Sequence, residues 1–211
     1  MIDSIKDLEW RYAVKKFDSK KELPASKIEK LKEAFNLTAT SYGLQPIRLV
    51  VLQNKGLQKE LVASSFDQAQ VYQASHVLII CIEEKIDKNY IINYFERVKE
   101  VRGTSDEILD PFKERMIESF SSQSPKEIRE WAVNQAHLAM GNLLTICAIE
   151  RIDACPMAGF VPSAYDELLG LRNKGLQSVL VMPVGYRAPD DMFSEFKKVR
   201  KDINDSVIEI S

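Results

Sequence analysis

Histidine is scarce in this chain of 211 residues, in which only His76 and His137 occur. Two isolated histidines provide neither an H-E-x-x-H motif nor a multi-histidine cluster, so we expect no metal site. No G-x-S-x-G sequence surrounds a serine, and neither histidine has an identifiable acidic partner for a nucleophilic triad. These absences disfavour metalloenzymes and hydrolases, and we interpret both histidines as structural.

Glycine is also sparse, with eight residues that form neither a G-x-G-x-x-G motif nor a Walker loop. A bound nucleotide would therefore need side-chain cations to hold its phosphate. The three cysteines lack the paired spacing of zinc sites and lie among apolar residues, which is typical of reduced thiols in a reducing compartment. We accordingly expect a cytoplasmic protein.

Long apolar runs and excess charge are absent as well. No run approaches the roughly 18 residues of a membrane span, and the first residues lack the hydrophobic stretch of a secretory signal. Lys and Arg total 29 against 31 Asp and Glu, a net charge of −2 that provides no global basic field. We expect neither a membrane nor a nucleic acid as partner, and any cationic site must be local.

The chain length suits one domain, and no linker or repeat marks a boundary inside it. Short β-branched runs predict strands at residues 48–53, 76–82 and 178–182. Helical spacing predicts helices just after Pro24 and near residues 56–65, 86–101 and 106–120. The last residues, Val207-Ile-Glu-Ile210, alternate in a way that fits an edge strand.

Residues 125–151 predict a helix that is apolar on nearly every face. Such a helix must be buried, and one sheet with a few amphipathic helices covers only part of it. Small residues at Ala136, Ala139 and Gly141 would permit close approach of a second copy. We therefore hypothesise a homodimer; the alternative is a central helix in a monomer.

Two short cationic sets lie at opposite ends of the chain: R-Y-A-V-K-K-F-D at residues 11–18 and F-K-K-V-R at residues 196–200. In an extended segment, Lys198 and Arg200 project to the same side because side chains alternate with a period of two. Such a fork can grip an anion. On spacing alone, a solvated surface is the alternative.

Two loops have compositions suited to a polar or flat ligand. Residues 38–46, T-A-T-S-Y-G-L-Q-P, combine hydroxyls with Gly and Pro, which fits either a phosphate or sugar site or a bare turn. Residues 154–160, A-C-P-M-A-G-F, include small residues that let a flat ligand approach the backbone.

The order of these sets resembles that of the FMN-dependent nitroreductase family, of the oxygen-insensitive NAD(P)H nitroreductase and flavin reductase type. R-Y-A-V-K-K-F-D is similar to the family's R-x-S-x-K-x-F-D, and T-S-Y-G-L-Q-P to its S-S-x-N-x-Q-P loop. Four further segments follow in family order, so that the resemblance covers essentially the whole chain: Q-A-Q-V-Y-Q-A-S-H-V, C-P-M-A-G-F, V-L-V-M-P-V-G-Y-R and the K-V-R tail.

The resemblance implies an α+β, nitroreductase-like fold, with a central, mostly antiparallel sheet surrounded by helices in an intertwined homodimer. It implies one domain over residues 1–211, whose C-terminal extension at about 190–211 reaches across the partner subunit. FMN would be the cofactor and NADH or NADPH the electron donor. The implied reaction is a ping-pong, two-electron reduction of quinones, nitroaromatics or similar flat, electron-poor acceptors, without a covalent catalytic residue.

Carried over by position, the resemblance also implies cofactor contacts. Arg11, Lys198 and Arg200 would bind the FMN phosphate, and Lys15 would lie near the pyrimidine edge of the flavin. The loop residues Thr40, Ser41 and Gly43 would reach the cofactor from the other subunit. The remaining contacts would come from Tyr12, Ala13, Gln68, Gln70, Pro156, Met157, Ala158 and Gly159. A backbone N–H of one of the last two would face flavin N5, supporting the chemistry together with Lys15.

Several positions depart from the family pattern. Ala13 replaces the usual Ser, Gly43 replaces the common Asn, and Ala158 stands where several relatives have Glu. We expect weaker cofactor binding or altered substrate choice, with neutral exchange as the alternative.

A mobile helical cover is a further implication of the resemblance. It would include Phe112, Met116 and Phe120, although spacing alone favours a core role for them. Two alternative functions stay open: a non-catalytic flavin-binding homodimer used as a sensor or store, and a dihydropteridine or other specialised reductase on the same scaffold.

Overall fold

The computed structural model describes residues 4–210. Its strands are β1, Ile47–Leu52; β2, His76–Glu83; β3, Asp153–Ala154; and β4, Leu176–Gly185. Its helices are α1, Ser4–Trp10; α2, Ala25–Asn36; α3, Lys55–Glu60; α4, Gln70–Gln73; α5, Lys88–Arg102; α6, Asp106–Ser121; α7, Pro125–Ile149; α8, Pro162–Leu168; and α9, Ile203–Ser206. Within this part of the chain, no helix is both long and apolar enough to cross a bilayer.

The strands form one antiparallel sheet in the order β1-β2-β4-β3. Side chains of β2 alternate between two apolar layers: Leu78 and Ile80 pack on the side of α7, whereas Ile79 and Cys81 pack on the opposite side. Because strand side chains alternate with a period of two, a strand covered on both faces has a continuous apolar sequence. The α+β fold with an antiparallel sheet surrounded by helices is confirmed.

The long helix α7 begins where its sequence provides a capping box. The Ser124 hydroxyl accepts a hydrogen bond from the Glu127 N–H, and the Glu127 carboxylate accepts one from the Ser124 N–H. The helix packs on β2 and β4, but His137, Leu138 and Gly141 are exposed. One copy of the chain therefore leaves one face of this helix uncovered.

The helix predicted over residues 56–65 is wrong in its extent. Helix α3 ends at Glu60, and a short 3-10 turn at Ala63–Ser65 follows. The backbone then becomes left-handed at Phe66 (φ 54°) and Asp67 (φ 59°). Non-glycine residues rarely adopt this conformation, so apolar spacing alone did not predict the break.

The edge strand predicted for residues 207–210 is not formed within one copy of the chain. These residues follow α9, have no regular secondary structure and are exposed. A period of two indicates which side chains share a face, but it does not show whether a sheet edge lies alongside.

Candidate functional site

The N-terminal motif, residues 11–18, is bound to the ends of β3 and β4. The Val14 N–H donates to the Ala154 carbonyl over 3.3 Å, and the Asp18 N–H donates to the Tyr186 carbonyl over 2.8 Å. The side chains of Val14 and Phe17 are buried. The motif therefore lies directly beside residues 154–160, the small-residue loop.

The two cationic sets from opposite ends of the chain meet at one cavity of about 340 Å³. Its lining includes five cations, Arg11, Lys15, Lys197, Lys198 and Arg200. Tyr12, Ala13, Phe193 and Phe196 complete the lining. The Lys198 ammonium donates a hydrogen bond to the Arg11 carbonyl, which joins the C-terminal segment to the N-terminal motif.

The cations at this cavity are not neutralised by ion pairs among the described residues. Within residues 4–210, none of its five cations takes part in an ion pair. Burial and the Arg200 charge lower the pKa of Arg11, and burial together with the charges of Arg11, Arg200 and Arg187 lowers the pKa of Lys198. Cations that repel one another at a cavity fit a multivalent anion such as a phosphate monoester, which offers several oxygens to charged donors.

A buried carboxylate fixes the backbone on one side of this cavity. Asp191 is 3% exposed, and its Oδ2 accepts hydrogen bonds from the Tyr12 hydroxyl (2.9 Å) and the Lys15 N–H (3.0 Å). Burial acts to raise the pKa of Asp191, but these hydrogen bonds outweigh it and that pKa lies below its usual value. Burial and the bond to Asp191 raise the pKa of Tyr12.

A second buried carboxylate holds the end of α1. Asp153 accepts hydrogen bonds from the backbone N–H and side-chain Nε of Arg187, at 2.7 and 2.8 Å. The Arg187 guanidinium in turn lies over the rings of Trp10 and Tyr12, 4.3 and 4.5 Å from their centroids. This stack involves the two residues that flank Arg11 in the chain.

Residues 156–159 provide an open backbone edge beside the cations. Met157 pairs with β4 residue Val181 through two backbone hydrogen bonds of 2.8 and 2.9 Å. Ala158 and Gly159 are exposed, and within residues 4–210 neither of their N–H groups donates a hydrogen bond to the protein. Lys15 lies near Cys155, which precedes this segment: burial raises the pKa of that thiol, and the charge of Lys15 acts to lower it.

The predicted glutamines differ in their surroundings. The Gln68 amide donates to the carbonyls of Ser65 (3.0 Å) and Gly159 (3.1 Å), which places it at the open edge. Gln70 is buried at the start of α4. A Cβ atom on Gly159 would lie 3.6 Å from the Phe66 ring, so this exposed phenylalanine also borders the edge.

The loop containing Thr40, Ser41 and Gly43 lies away from the cation cavity in one copy of the chain. The Ser41 N–H donates to Gln135 of α7 over 2.8 Å. Arg11, by contrast, lies near Cys147 at the other end of α7. Burial raises the pKa of Cys147 to about 12, and the positive charge of Arg11 acts in the opposite direction. Twelve helical residues separate these points, or about 18 Å.

Helix α6 is only partly available as a cover. Phe120 is 5% exposed and packs edge-on against Trp131, with ring centroids 5.0 Å apart. Met116 packs against the same core. Phe112 is 62% exposed and is the one of these three residues that lies at the surface. Phe120 belongs to the core, as its spacing indicated.

Sequence reasoning missed Asp153, Asp191 and Phe66. The two carboxylates act mainly on backbone N–H groups and on residues distant in the chain, which leaves no spacing signal. Phe66 stands in a polar stretch that predicts no core or site role. For Asp191 one signal existed: an Asp preceding a short helical turn is a typical N-cap residue, and it does accept from the Phe193 N–H.

Comparisons with known proteins point to one family. The sequence profile of the nitroreductase family matches residues 8–186. An oxygen-insensitive NAD(P)H nitroreductase of Salmonella typhimurium is 26% identical over 212 residues, which span 95% of this chain and 96% of that protein.

Solved structures share the fold. A nitroreductase-like protein from Streptococcus mutans has a TM-score of 0.84 at 24% identity and covers 98% of both chains. A protein from Exiguobacterium sibiricum, solved in complex with FMN, has a TM-score of 0.83 at 17% identity and covers 100% of this chain and 98% of that one. With a profile match over most of its length, this chain belongs to the nitroreductase family.

Proposed function

We propose that the protein is an FMN-dependent NAD(P)H oxidoreductase that reduces quinones, nitroaromatics or similar flat, electron-poor acceptors by two-electron, ping-pong transfer. The observation that carries the proposal is the convergence of five cations without ion-pair partners in residues 4–210, beside the open N–H groups of Ala158 and Gly159. Family membership and the FMN complex of a structural neighbour support it.

Arg11, Lys198 and Arg200 would bind the FMN phosphate. Charged donors shorten and strengthen hydrogen bonds to phosphate oxygens, and an arginine fork can donate to two oxygens at once. A phosphate dianion would also relieve the mutual repulsion that lowers the pKa of Arg11 and Lys198. Tyr12 and Ala13, which line the same cavity, would contact the adjoining part of the cofactor.

The loop at Pro156, Met157, Ala158 and Gly159 would border the flavin ring, with Gln68 and Gln70 at its polar side. When bound, FMN would supply the hydride chemistry, which no side chain of this protein can perform. The protein groups would act electrostatically: Lys15 and the N–H groups of Ala158 and Gly159 would stabilise negative charge that accumulates during reduction. No covalent catalytic residue is needed.

A second copy of the chain would complete each site. The loop with Thr40, Ser41 and Gly43 is bonded to α7 at Gln135, about 18 Å along the helix from Cys147, which lies near Arg11, so these residues would serve the other subunit's cofactor. The open face of α7 at Leu138 and Gly141 would form part of the subunit interface. We therefore propose an intertwined homodimer in the cytoplasm.

The chain would form one domain, and its C-terminal extension, about residues 190–211, would reach across the partner subunit. Its apolar side chains have little cover in one copy: Val199 is 88%, Ile208 89% and Ile210 94% exposed. Strand β1 lies at the edge of the sheet, beside a groove of about 750 Å³ between α2 and α5. The partner's alternating segment 207–210 would add to this edge, where backbone groups can pair with an extended chain.

The decisive experiment is a spectrum of the purified protein followed by anaerobic titration with NADH and with NADPH. We expect a yellow protein that releases FMN on denaturation, is bleached by one nucleotide equivalent, and oxidises NAD(P)H steadily with menadione or nitrofurazone. A folded protein that does not bind added FMN would overturn the proposal. Oxidation of at most one equivalent would instead identify a non-catalytic flavin-binding protein.

A further inference from the structure

Asp191 is the last buried residue of the described chain. It is 3% exposed, whereas the residues from 192 to 210 are exposed, apart from the half-buried Ser194. The cations Lys198 and Arg200 both lie in this exposed tail. The path of the tail is therefore fixed at Asp191, and beyond it the fold offers little support.

Four donors converge on the Asp191 carboxylate. Its Oδ2 accepts from the Tyr12 hydroxyl (2.9 Å), the Lys15 N–H (3.0 Å) and the Lys16 N–H (3.3 Å). Its Oδ1 accepts from the Phe193 N–H (3.2 Å), at the start of the tail. One oxygen thus binds the N-terminal motif and the other begins the tail, so that this side chain bridges the two segments.

We propose that Asp191 is a positioning residue for the anion site: it directs Lys198 and Arg200 onto Arg11 without contacting the anion. Asp191 does not line the cavity, and both of its oxygens accept hydrogen bonds from protein donors, so it acts without touching the anion. The inference rests on the proposed function, in which that anion is the FMN phosphate. It adds a residue that acts on phosphate binding through the geometry of the tail.

The neighbouring Asp190 provides a matched control. Its side chain is 68% exposed and, among residues 4–210, pairs only with the Lys16 ammonium, and an exposed ion pair of this kind fixes little. It has the same charge and almost the same place in the chain as Asp191. A general effect of removing a carboxylate from this turn would therefore appear in both variants.

The test compares FMN with riboflavin, which lacks the phosphate, in titrations of the apoprotein. Asp191→Ala is expected to raise the FMN dissociation constant about tenfold to a hundredfold and to leave the riboflavin constant within about threefold of the wild type. Asp191→Asn keeps an accepting oxygen, so its FMN dissociation constant is expected to lie between those of the wild type and Asp191→Ala. Asp190→Ala is expected to match the wild type.

A second arm asks whether Asp191 acts through the tail. In a Lys198→Ala/Arg200→Ala background, Asp191→Ala is expected to cause no further loss of FMN affinity beyond about threefold. Equal weakening of FMN and riboflavin, an additive loss in this background, or unchanged FMN affinity in Asp191→Ala would each overturn the proposal.

A third arm does not depend on the cofactor. Hydrogen exchange in the apoprotein should quicken at the amides of Lys15, Phe193 and Ser194, which donate to Asp191, in Asp191→Ala and, more weakly, in Asp191→Asn. Unchanged exchange would overturn the positioning role. If the wild type binds no FMN, the proposed function fails, and this arm still decides whether Asp191 holds the tail.

Discussion

A Cβ atom on Gly43 would lie 2.7 Å from the hydroxyl oxygen of Tyr94, and Gly43 itself has a φ of +73°. The left-handed backbone and the contact with Tyr94 both disfavour a side chain at this position. Glycine at this position, where the family pattern commonly has Asn, therefore suits the packing of this chain against α5.

Replacing Gly43 with Ala should lower the free energy of unfolding by about 1–3 kcal/mol, measured by urea denaturation. Gly103→Ala is the matched control, because Gly103 has a similar φ of +65° but no atom within 4 Å of its added Cβ. The loss in Gly43→Ala should exceed that in Gly103→Ala, and Tyr94→Phe should recover part of the difference. Equal losses in the two alanine variants would show that Tyr94 does not restrict the site.

A substitution at Leu138 tests whether the open face of α7 forms the proposed homodimer interface. Leu138 lies on the open face of α7 and is 55% exposed, so Leu138→Glu should place a charge in the proposed interface. We expect the mass from light scattering at micromolar concentration to fall towards that of one chain, with weaker FMN binding. Val101→Glu, at an apolar residue that is 64% exposed on α5, should leave the mass unchanged. A monomeric wild type would contradict the homodimer.

A substitution at Asp153 tests how much the Asp153–Arg187 pair stabilises the fold around the N-terminal motif. Asp153→Asn replaces the buried carboxylate that pairs with Arg187 by a neutral amide. Breaking such a pair leaves the Arg187 charge poorly compensated. The free energy of unfolding should fall by roughly 2–4 kcal/mol in urea denaturation. Asp190→Asn, at an exposed pair, should change it by less than about 1 kcal/mol. Similar values for both variants would count against the stack over Trp10.

Acid should lower the stability of the fold, in part because Asp191 becomes protonated. Because folding lowers the pKa of this carboxyl, its charged form stabilises the fold above the unfolded value near 3.9. This contribution is lost as pH falls through the lower, folded pKa. Melting temperatures from about pH 7 down to about pH 3 should therefore fall more steeply for the wild type than for Asp191→Asn. Parallel curves would show that Asp191 is not linked to folding.

The sequence predicted the parts of this fold that depend on local pattern. The continuous apolar run at residues 76–82 and the apolar helical pattern at residues 125–151 placed β2 and α7 within a few residues of their observed bounds, because hydrophobic pattern is a local property. The meeting of Arg11 with Lys198 followed only from the family resemblance. The role of Asp191 could not be predicted, because its main partners are backbone N–H groups about 175 positions away. Whether the exposed tail pairs with a sheet depends on a second chain.

The central claim is that cations from both ends of the chain bind one phosphate, and calorimetric titration of the apoprotein with FMN and riboflavin tests it most directly. Arg200→Ala should weaken FMN binding by about 1.5–3 kcal/mol and leave riboflavin binding unchanged. Arg172→Ala, which removes an exposed arginine elsewhere, should match the wild type with both ligands. Unchanged FMN affinity in Arg200→Ala would contradict the claim.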